Sequence, residues 1–378
     1  MKVLMISTDR KIFEEGSEAR LRMKDYGVLF DELHIIVFAQ KKLNLGSEQI
    51  KNNVWIYPTN SRNRFFYILD AIKKGEELLK SREDWIVSSQ DPFETGLVGW
   101  WLAFYFRLRL QVQIHTDLYS PYFIKSSFLN RLRVLVAGFI IPRADCLRVV
   151  SERIKRSLSN LPLKHEPTIL PILTEAYENN SAEGQSIVDL KTLYPEFNFI
   201  TLIISRLEPE KNISLALEAF GEASKQAQDL GLVILGSGSQ ESKLQMKVEE
   251  LGLQDKVKFL GWKENPSAYY KSADLFLLTS NFEGYCRTLV AATLEHLPVL
   301  TTNVGLVGEV FVSDNSLICE VGDKECLSRQ LSRAAKGEVS LPELAEKALE
   351  AVKAKTISNK KDYLRKYLEA LNCCLAGE

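Results

Sequence analysis

No stretch of this 378-residue sequence is long and apolar enough to span a bilayer. The two most hydrophobic, Leu97–Phe106 and Val134–Ile141, fall far short of the ~20 residues a spanning helix needs. The first apolar run, Val3–Ile6, has the length of a strand and not of a signal peptide. An excess of one charge is missing too: 48 Lys and Arg against 49 Asp and Glu leave a formal net charge of −1, which gives no basis for a nucleic-acid partner. The six cysteines, at 146, 286, 319, 326, 373 and 374, lack Cys-x-x-Cys spacing. That argues against a zinc site or a disulfide framework and predicts reduced thiols. No Asp-x-Asp stands out as a metal site, and there is no short-period repeat or low-complexity segment. What remains is an ordinary globular composition, 46% hydrophobic and 26% charged, long enough for two domains of ~150 residues each. The expectation is a cytoplasmic protein.

The strongest pattern present is Asp274–Gly305. Asp274–Ser280 is an apolar run of strand length ending in small polar residues. A Glu-Gly loop, a helical stretch Thr288–Leu294 and a second short strand, Pro-Val-Leu-Thr-Thr, follow. Strand, helix and strand in that order make a βαβ unit. Ligands of open α/β sheets sit at the carboxyl ends of such strands, against helix N-termini. The loop Asn281–Arg287 is therefore the predicted ligand site.

Other segments repeat the theme. MKVLMIS reads as a buried strand, with Gly16-Ser17 before a helix over Glu18–Tyr26 that Ser17 caps. A glycine there lets backbone N–H groups approach a phosphate, although a plain turn serves equally well. Trp85–Ser89 is a further strand, followed by an apolar helix over Leu97–Leu108. The strand Gln111–His115 then points His115 at the ligand edge of its sheet, unless the imidazole only bonds a neighbouring loop. Phe128, Leu132, Leu135 and Phe139 share one helical face, with Arg131 and Arg133 off it. The segment is either a core helix with a solvated basic face or, with Arg153, Lys155 and Arg156, a basic surface for anionic lipid. Ser151 reads as the cap of the helix that follows. The polar segment Glu175–Gln185 reads as a linker. Beyond it, Arg206 and Lys211 bracket a strand-to-helix loop, with Asn212 as the predicted cap of Ile213–Lys225. Two cations converging on a helix N-terminus make an anion site. LVILGSGS, Leu232–Ser239, carries Gly-x-Gly without the third glycine of a dinucleotide fingerprint, and Ser239 reads as a helix cap. Val257–Gly261 is a short strand leading to Trp262, and Lys360–Asn372 is the last helix.

The segment EGYCRTLVAATLEHLPVLTTNVG resembles the signature of family-four glycosyltransferases, retaining nucleotide-sugar enzymes of the GT-B fold. Glu283, Gly284, Tyr285, Pro298 and Val299 match. Three positions depart: Ala291 replaces a second Glu, and Cys286 and His296 replace glycines. Arg-Leu-x-x-x-Lys-Asn at Arg206–Asn212 also resembles the family, and so does a histidine at the place of His115. The resemblance implies an α/β protein of two Rossmann-like domains facing across a cleft. These would be an acceptor-side domain over 1–175, a nucleotide-sugar domain over 186–355 and, over 356–378, a helix returning to the first. It implies transfer of a sugar from a nucleotide-diphosphate donor to an acceptor hydroxyl with retention, with no metal, on a glycan or lipid-linked acceptor. Arg206, Lys211 and the N–H groups near Thr288 and Leu289 would hold the diphosphate, with the Gly16 loop close by. Trp262 would lie near the base and Ala291 at the ribose. Glu283 would bond donor-sugar hydroxyls and His115 would orient the sugar. An anionic membrane surface is the further partner expected, with the protein peripheral on the inner face of the cell membrane. Two alternatives stay open: a nucleotide-sugar-binding scaffold, suggested by the three departures, and an epimerase or phosphorylase on the same fold.

Overall fold

A computed structural model describes residues 1–80, 84–174, 188–357 and 359–375. The predicted linker Glu175–Gln185 lies outside them. The chain forms two compact units, Met1–Pro171 with Lys360–Glu378, and Ile172–Asn359. The first contains β1 (Lys2–Ser7), α1 (Glu18–Tyr26), β2 (Glu32–Val37), β3 (Glu48–Lys51), β4 (Val54–Pro58), α2 (Tyr67–Leu78), β5 (Trp85–Ser89) and α3 (Glu94–Phe106). It continues with β6 (Arg109–Ile114), α4 (Pro121–Ser126), α5 (Phe128–Ile140), β7 (Cys146–Val149), α6 (Glu152–Ser157) and β8 (Thr168–Ile169). The second runs α7 (Leu190–Leu193), β9 (Phe199–Ile204), α8 (Ile213–Ser224), β10 (Leu230–Leu235), α9 (Glu241–Glu250), β11 (Val257–Gly261) and α10 (Ser267–Ser272). Then come β12 (Leu275–Leu278), α11 (Arg287–Leu294), β13 (Val299–Thr302), β14 (Leu317–Cys319), α12 (Lys324–Ala335) and α13 (Leu341–Lys355). The last helix, α14 (Lys360–Asn372), belongs to the first unit.

The central strands are buried along nearly their whole length, as in β1, β5 and β10. Continuous apolar runs of this kind belong to parallel strands covered on both faces. The first sheet is ordered β3-β4-β2-β1-β5-β6-β7-β8, all parallel except β3 against β4. The second is β11-β10-β9-β12-β13-β14, with every pairing parallel. In both, the chain adds strands to one side and then returns to build the other. The reversal falls between β1 and β5 in one sheet and between β9 and β12 in the other.

Ser17 and Ser151 cap their helices as expected, each hydroxyl accepting an N–H three residues on. Two other predicted caps do something else. Asn212 sits in the left-handed region at φ 46° and turns its amide to Asn281. The Ser239 hydroxyl donates to Glu208, so α9 starts after Gln240 instead. α14 fastens to the first sheet through a polar layer. Arg148, only 2% exposed, donates to Gln113 Oε1 at 2.8 Å and to the Tyr363 hydroxyl at 2.9 Å. Tyr367 stacks on Tyr26 at 4.2 Å and takes a hydrogen bond from Gln113 at 3.2 Å. Burial pushes the Tyr367 hydroxyl up to about 12.

The expectation of six reduced thiols is corrected. Cys146 on β7 pairs with Cys374 just beyond α14, and Cys319 pairs with Cys326, leaving Cys286 buried and Cys373 exposed. Separations of 228 and 7 residues give no spacing cue, because the partners meet only after the sheets form. Thiol titration with Ellman's reagent is expected to find one reactive group in the native protein and two after unfolding without reductant. Six after unfolding without reductant would show both pairs open.

Candidate functional site

At the reversal in the second sheet, the loop after β9 and the loop after β12 lie side by side. Asn281 N–H donates to the Glu210 carbonyl at 2.8 Å, and the Thr279 hydroxyl donates to the Lys211 and Asn212 carbonyls at 3.0 and 3.1 Å. Across this seam Lys211 Nζ pairs with Glu283 Oε1, and the Ser280 hydroxyl donates to the same oxygen at 2.7 Å. Thr302 in turn holds the Ser280 carbonyl at 2.7 Å. The ion pair is largely withdrawn from water, its side chains 16% and 14% exposed. A carboxylate and an ammonium thus meet at the carboxyl ends of two parallel strands, where α8 and α11 begin. Water screens such a pair less than one on the surface.

Arg206 is placed differently. Its side chain is 70% exposed and bonds Glu210 at 2.7 Å, so the two cations of this loop do not share a partner. The Gly-x-Gly turn serves packing. A Cβ on Gly238 would come within 2.4 Å of the Leu207 carbonyl oxygen, and the two loops exchange backbone bonds through Leu207, Ser237 and Gln240. Trp262 follows β11 and is exposed. Thr288 lies in the first turn of α11, half-buried. The Leu289 N–H, expected to face a ligand, donates instead to the Cys286 carbonyl at 3.1 Å. The first turn closes on itself because the chain enters α11 through a left-handed residue. Ala291 is buried on the same helix.

Two of the three departures from the family signature have one backbone explanation. Cys286 has φ 70° and His296 φ 60°, so both keep the left-handed conformation that favours glycine. Gly305, at φ 57°, leaves room for the Cys286 side chain, since a Cβ there would meet its Sγ at 2.5 Å. His296 is exposed just beyond α11. His296→Gly is expected to raise stability by about 0.5–1 kcal/mol, read as a higher melting temperature. A lower one would mean that the imidazole makes contacts outweighing its strain.

In the first unit, His115 follows β6 and its Nε2 lies 3.2 Å from Gln113 Oε1. Arg148 can only donate, so it fixes Gln113 with its oxygen toward both groups. His115 must then carry its proton on Nε2, which leaves Nδ1 as an acceptor. Burial, aided by the charges of Arg148 and Arg22, pushes His115 down to about 3, so the ring is neutral. Gly16 adopts φ +77° before α1, with nothing near its α-carbon that a side chain would strike. Gln113, Arg148 and Ser280 were not singled out in the sequence as site residues. The signal for the first two was polar residues on strands whose neighbours are apolar. Among the described residues, no three His, Cys, Asp or Glu are grouped to hold a metal ion.

Between about pH 6.5 and 3 the unfolded chain holds a proton at His115 that the folded chain refuses, so the native state loses stability as pH falls through that window. Burial pushes Asp91 up to about 6, which acts in the opposite sense. His115→Gln retains Asp91 and loses the imidazole, so its melting temperature is expected to fall less steeply with acid than that of the wild type. Parallel slopes would mean that the folded protein does not exclude the His115 proton.

Residues 191–355, within the second unit, match the family model of glycosyl transferases group 1. Both sheets together have the GT-B fold. Sucrose-phosphate synthase from Thermosynechococcus elongatus superimposes with a TM-score of 0.80 at 17% identity, covering 100% of both chains. Anabaena HepE, solved with UDP and glucose, gives 0.75 at 18% identity over 98% of this chain and 99% of that one. Among curated relatives, alpha-monoglucosyldiacylglycerol synthase of Streptococcus pneumoniae is 27% identical over 247 residues, 63% of this chain and 55% of that protein. The chain spans about half the length of the first curated relatives it matches.

Proposed function

We propose that this protein transfers a sugar, with retention, from a nucleotide-diphosphate donor to a hydroxyl of a glycan or lipid-linked acceptor in cell-surface glycan synthesis. The observation that carries the reading is the Lys211–Glu283 pair at the reversal of the second sheet, inside the segment matched by the family model. Negative charge grows on the diphosphate as the anomeric C–O bond breaks, so a preorganised cation lowers the barrier. Lys211 supplies it, with Arg206 reaching from the exposed side of the loop. When the ammonium turns to the diphosphate, Glu283 is released to accept hydrogen bonds from donor-sugar hydroxyls. Ser280 keeps the carboxylate in place. His115, neutral with Nδ1 free to accept, orients a sugar hydroxyl, and Trp262 lies beside the base. Arg206 and Lys211 carry the cationic role, and no metal is assigned. HepE, solved with UDP and glucose, supports the donor class, and the diacylglycerol-glycoside relative supports a lipid acceptor at a membrane surface.

Ala291 favours a second reading. A ribose beside it meets a methyl group and no carboxylate, as in a scaffold that binds nucleotide weakly and does not turn over.

The test is a thermal-shift titration with UDP, GDP and ADP beside their nucleosides, on the wild type and Lys211→Ala, followed by turnover with the sugar form of whichever binds. One diphosphate is expected to raise the melting temperature. Lys211→Ala is expected to weaken its binding about ten- to hundredfold, the effect of a charge-assisted bond worth roughly 1.5–3 kcal/mol, while leaving the nucleoside unchanged. Equal losses for both would remove Lys211 from the diphosphate. Diphosphate binding without turnover selects the scaffold.

A further inference from the structure

Two helices of the first unit present their large side chains outward. α5 turns Ala137 and Ile140 to the interior. Phe128, Leu132, Leu135 and Phe139, at i, i+4, i+7 and i+11, stand outward, Phe128 at 73% and Leu135 at 71% exposure. The expected core face is therefore the outer one. α3 repeats the arrangement. Val98, Gly99, Leu102 and Ala103 are buried, whereas Trp101, Phe104 and Tyr105 are exposed, Phe104 at 70%. A Cβ on Gly99 would meet Leu110 at 3.0 Å, and one on Gly96 would meet Ile140 at 3.3 Å, so small residues let α3 close on the sheet and on α5. The two outer faces join through Trp100, which meets Phe139 edge-on at 4.9 Å and stacks on Phe104 at 5.9 Å. Scattered exposed apolar residues are ordinary, but a continuous face marks a surface that something covers.

Charge selects what covers it. From Thr95 to Ala144 the sequence holds six Lys and Arg and one acidic residue, Asp117. Arg107, Lys125, Arg131 and Arg143 are exposed on or beside these helices, and the Arg143 guanidinium lies 3.8 Å over the Phe139 ring. Arg133 contributes less than its sequence suggests, because Glu94 holds it in a two-pronged pair at 2.9 and 3.0 Å. Lys155, also counted as lipid-facing, pairs with Glu166 at 2.5 Å. A second copy docked about a twofold axis would set one cationic rim against another. Tryptophan, tyrosine, phenylalanine and leucine bordered by Lys and Arg match the composition of helices that lie in a bilayer interface. Neither helix is long enough to cross, each having 13 residues.

We propose that the α3–α5 face docks this protein on an anionic bilayer, with Trp101, Phe104, Leu132 and Leu135 at the headgroup–acyl boundary and Lys125 and Arg131 against lipid phosphates. The proposal specifies the membrane part of the function proposed above. Its test contains no nucleotide sugar, so its outcome is independent of turnover.

The experiment is flotation of the full chain with phosphatidylcholine vesicles, with and without phosphatidylglycerol. Binding is expected to the anionic vesicles and to weaken as salt rises. Phe104→Asp and Leu135→Asp are each expected to lower partitioning at least about tenfold, and Arg131→Gln about fivefold. Both apolar positions are solvent-exposed, and circular dichroism checks that the variants stay folded. A second readout needs no folded-state comparison: brominated lipid should quench tryptophan fluorescence in the wild type, and less of it in Trp101→Phe. Three results overturn the proposal: no flotation with either vesicle, flotation unaffected by the aspartate variants, or a dimer in sedimentation velocity that those variants dissolve.

Discussion

Parallel pairing of the first strand of each half-sheet, β1 with β5 and β9 with β12, is the constraint from which the rest follows. Crossovers between parallel strands are right-handed, so helices alternate over the faces while every loop that ends a strand emerges at one edge. Where the strand order reverses, two such loops have no helix crossing between them and meet directly. In the second unit this contact places Lys211 against Glu283 although 72 residues separate them. The chemistry of the seam is a consequence of topology, and the individual side chains refine it.

The backbone at the seam was largely readable in the sequence, because its strands are continuous apolar runs. The helix Glu18–Tyr26 and the strand–loop–helix around Glu283 stand where periodicity puts them. Side-chain partners were less legible. Nothing local shows that Asn212 gives up its capping role to bond Asn281, or that Arg206 turns out to Glu210 while Lys211 turns in. Those choices depend on a loop from the other half of the sheet. The outward face of α5 was hidden for a related reason. Periodicity shows that Phe128, Leu132, Leu135 and Phe139 share a side, but which side meets the sheet depends on Gly96 and Gly99 of α3, which draw that helix in close. A helical moment has a direction on the helix and no sign relative to the core.

Conformation can outlast the residue that usually supplies it. Cys286 and His296 occupy left-handed positions at the two ends of α11. The left-handed turn at each end is kept without a glycine to supply it. A signature read residue by residue scores these positions as losses. Read as backbone geometry, they are retained.

The first unit is discontinuous: its chain leaves at Pro171 and returns at Lys360. Gln111 and Arg148 on its sheet are completed only by the Ala370 carbonyl and the Tyr363 hydroxyl, which α14 brings. During synthesis the second unit is therefore whole on the ribosome before the first has its full complement of contacts. Until α14 arrives, the nascent first unit holds a guanidinium and two glutamine side chains in a sheet where water must stand in for the missing helix. The order of completion thus runs opposite to the order in which the two units begin. The unit whose strands come first along the chain is the last to close, and any truncation ahead of α14 leaves an open flank there while sparing the seam between Lys211 and Glu283.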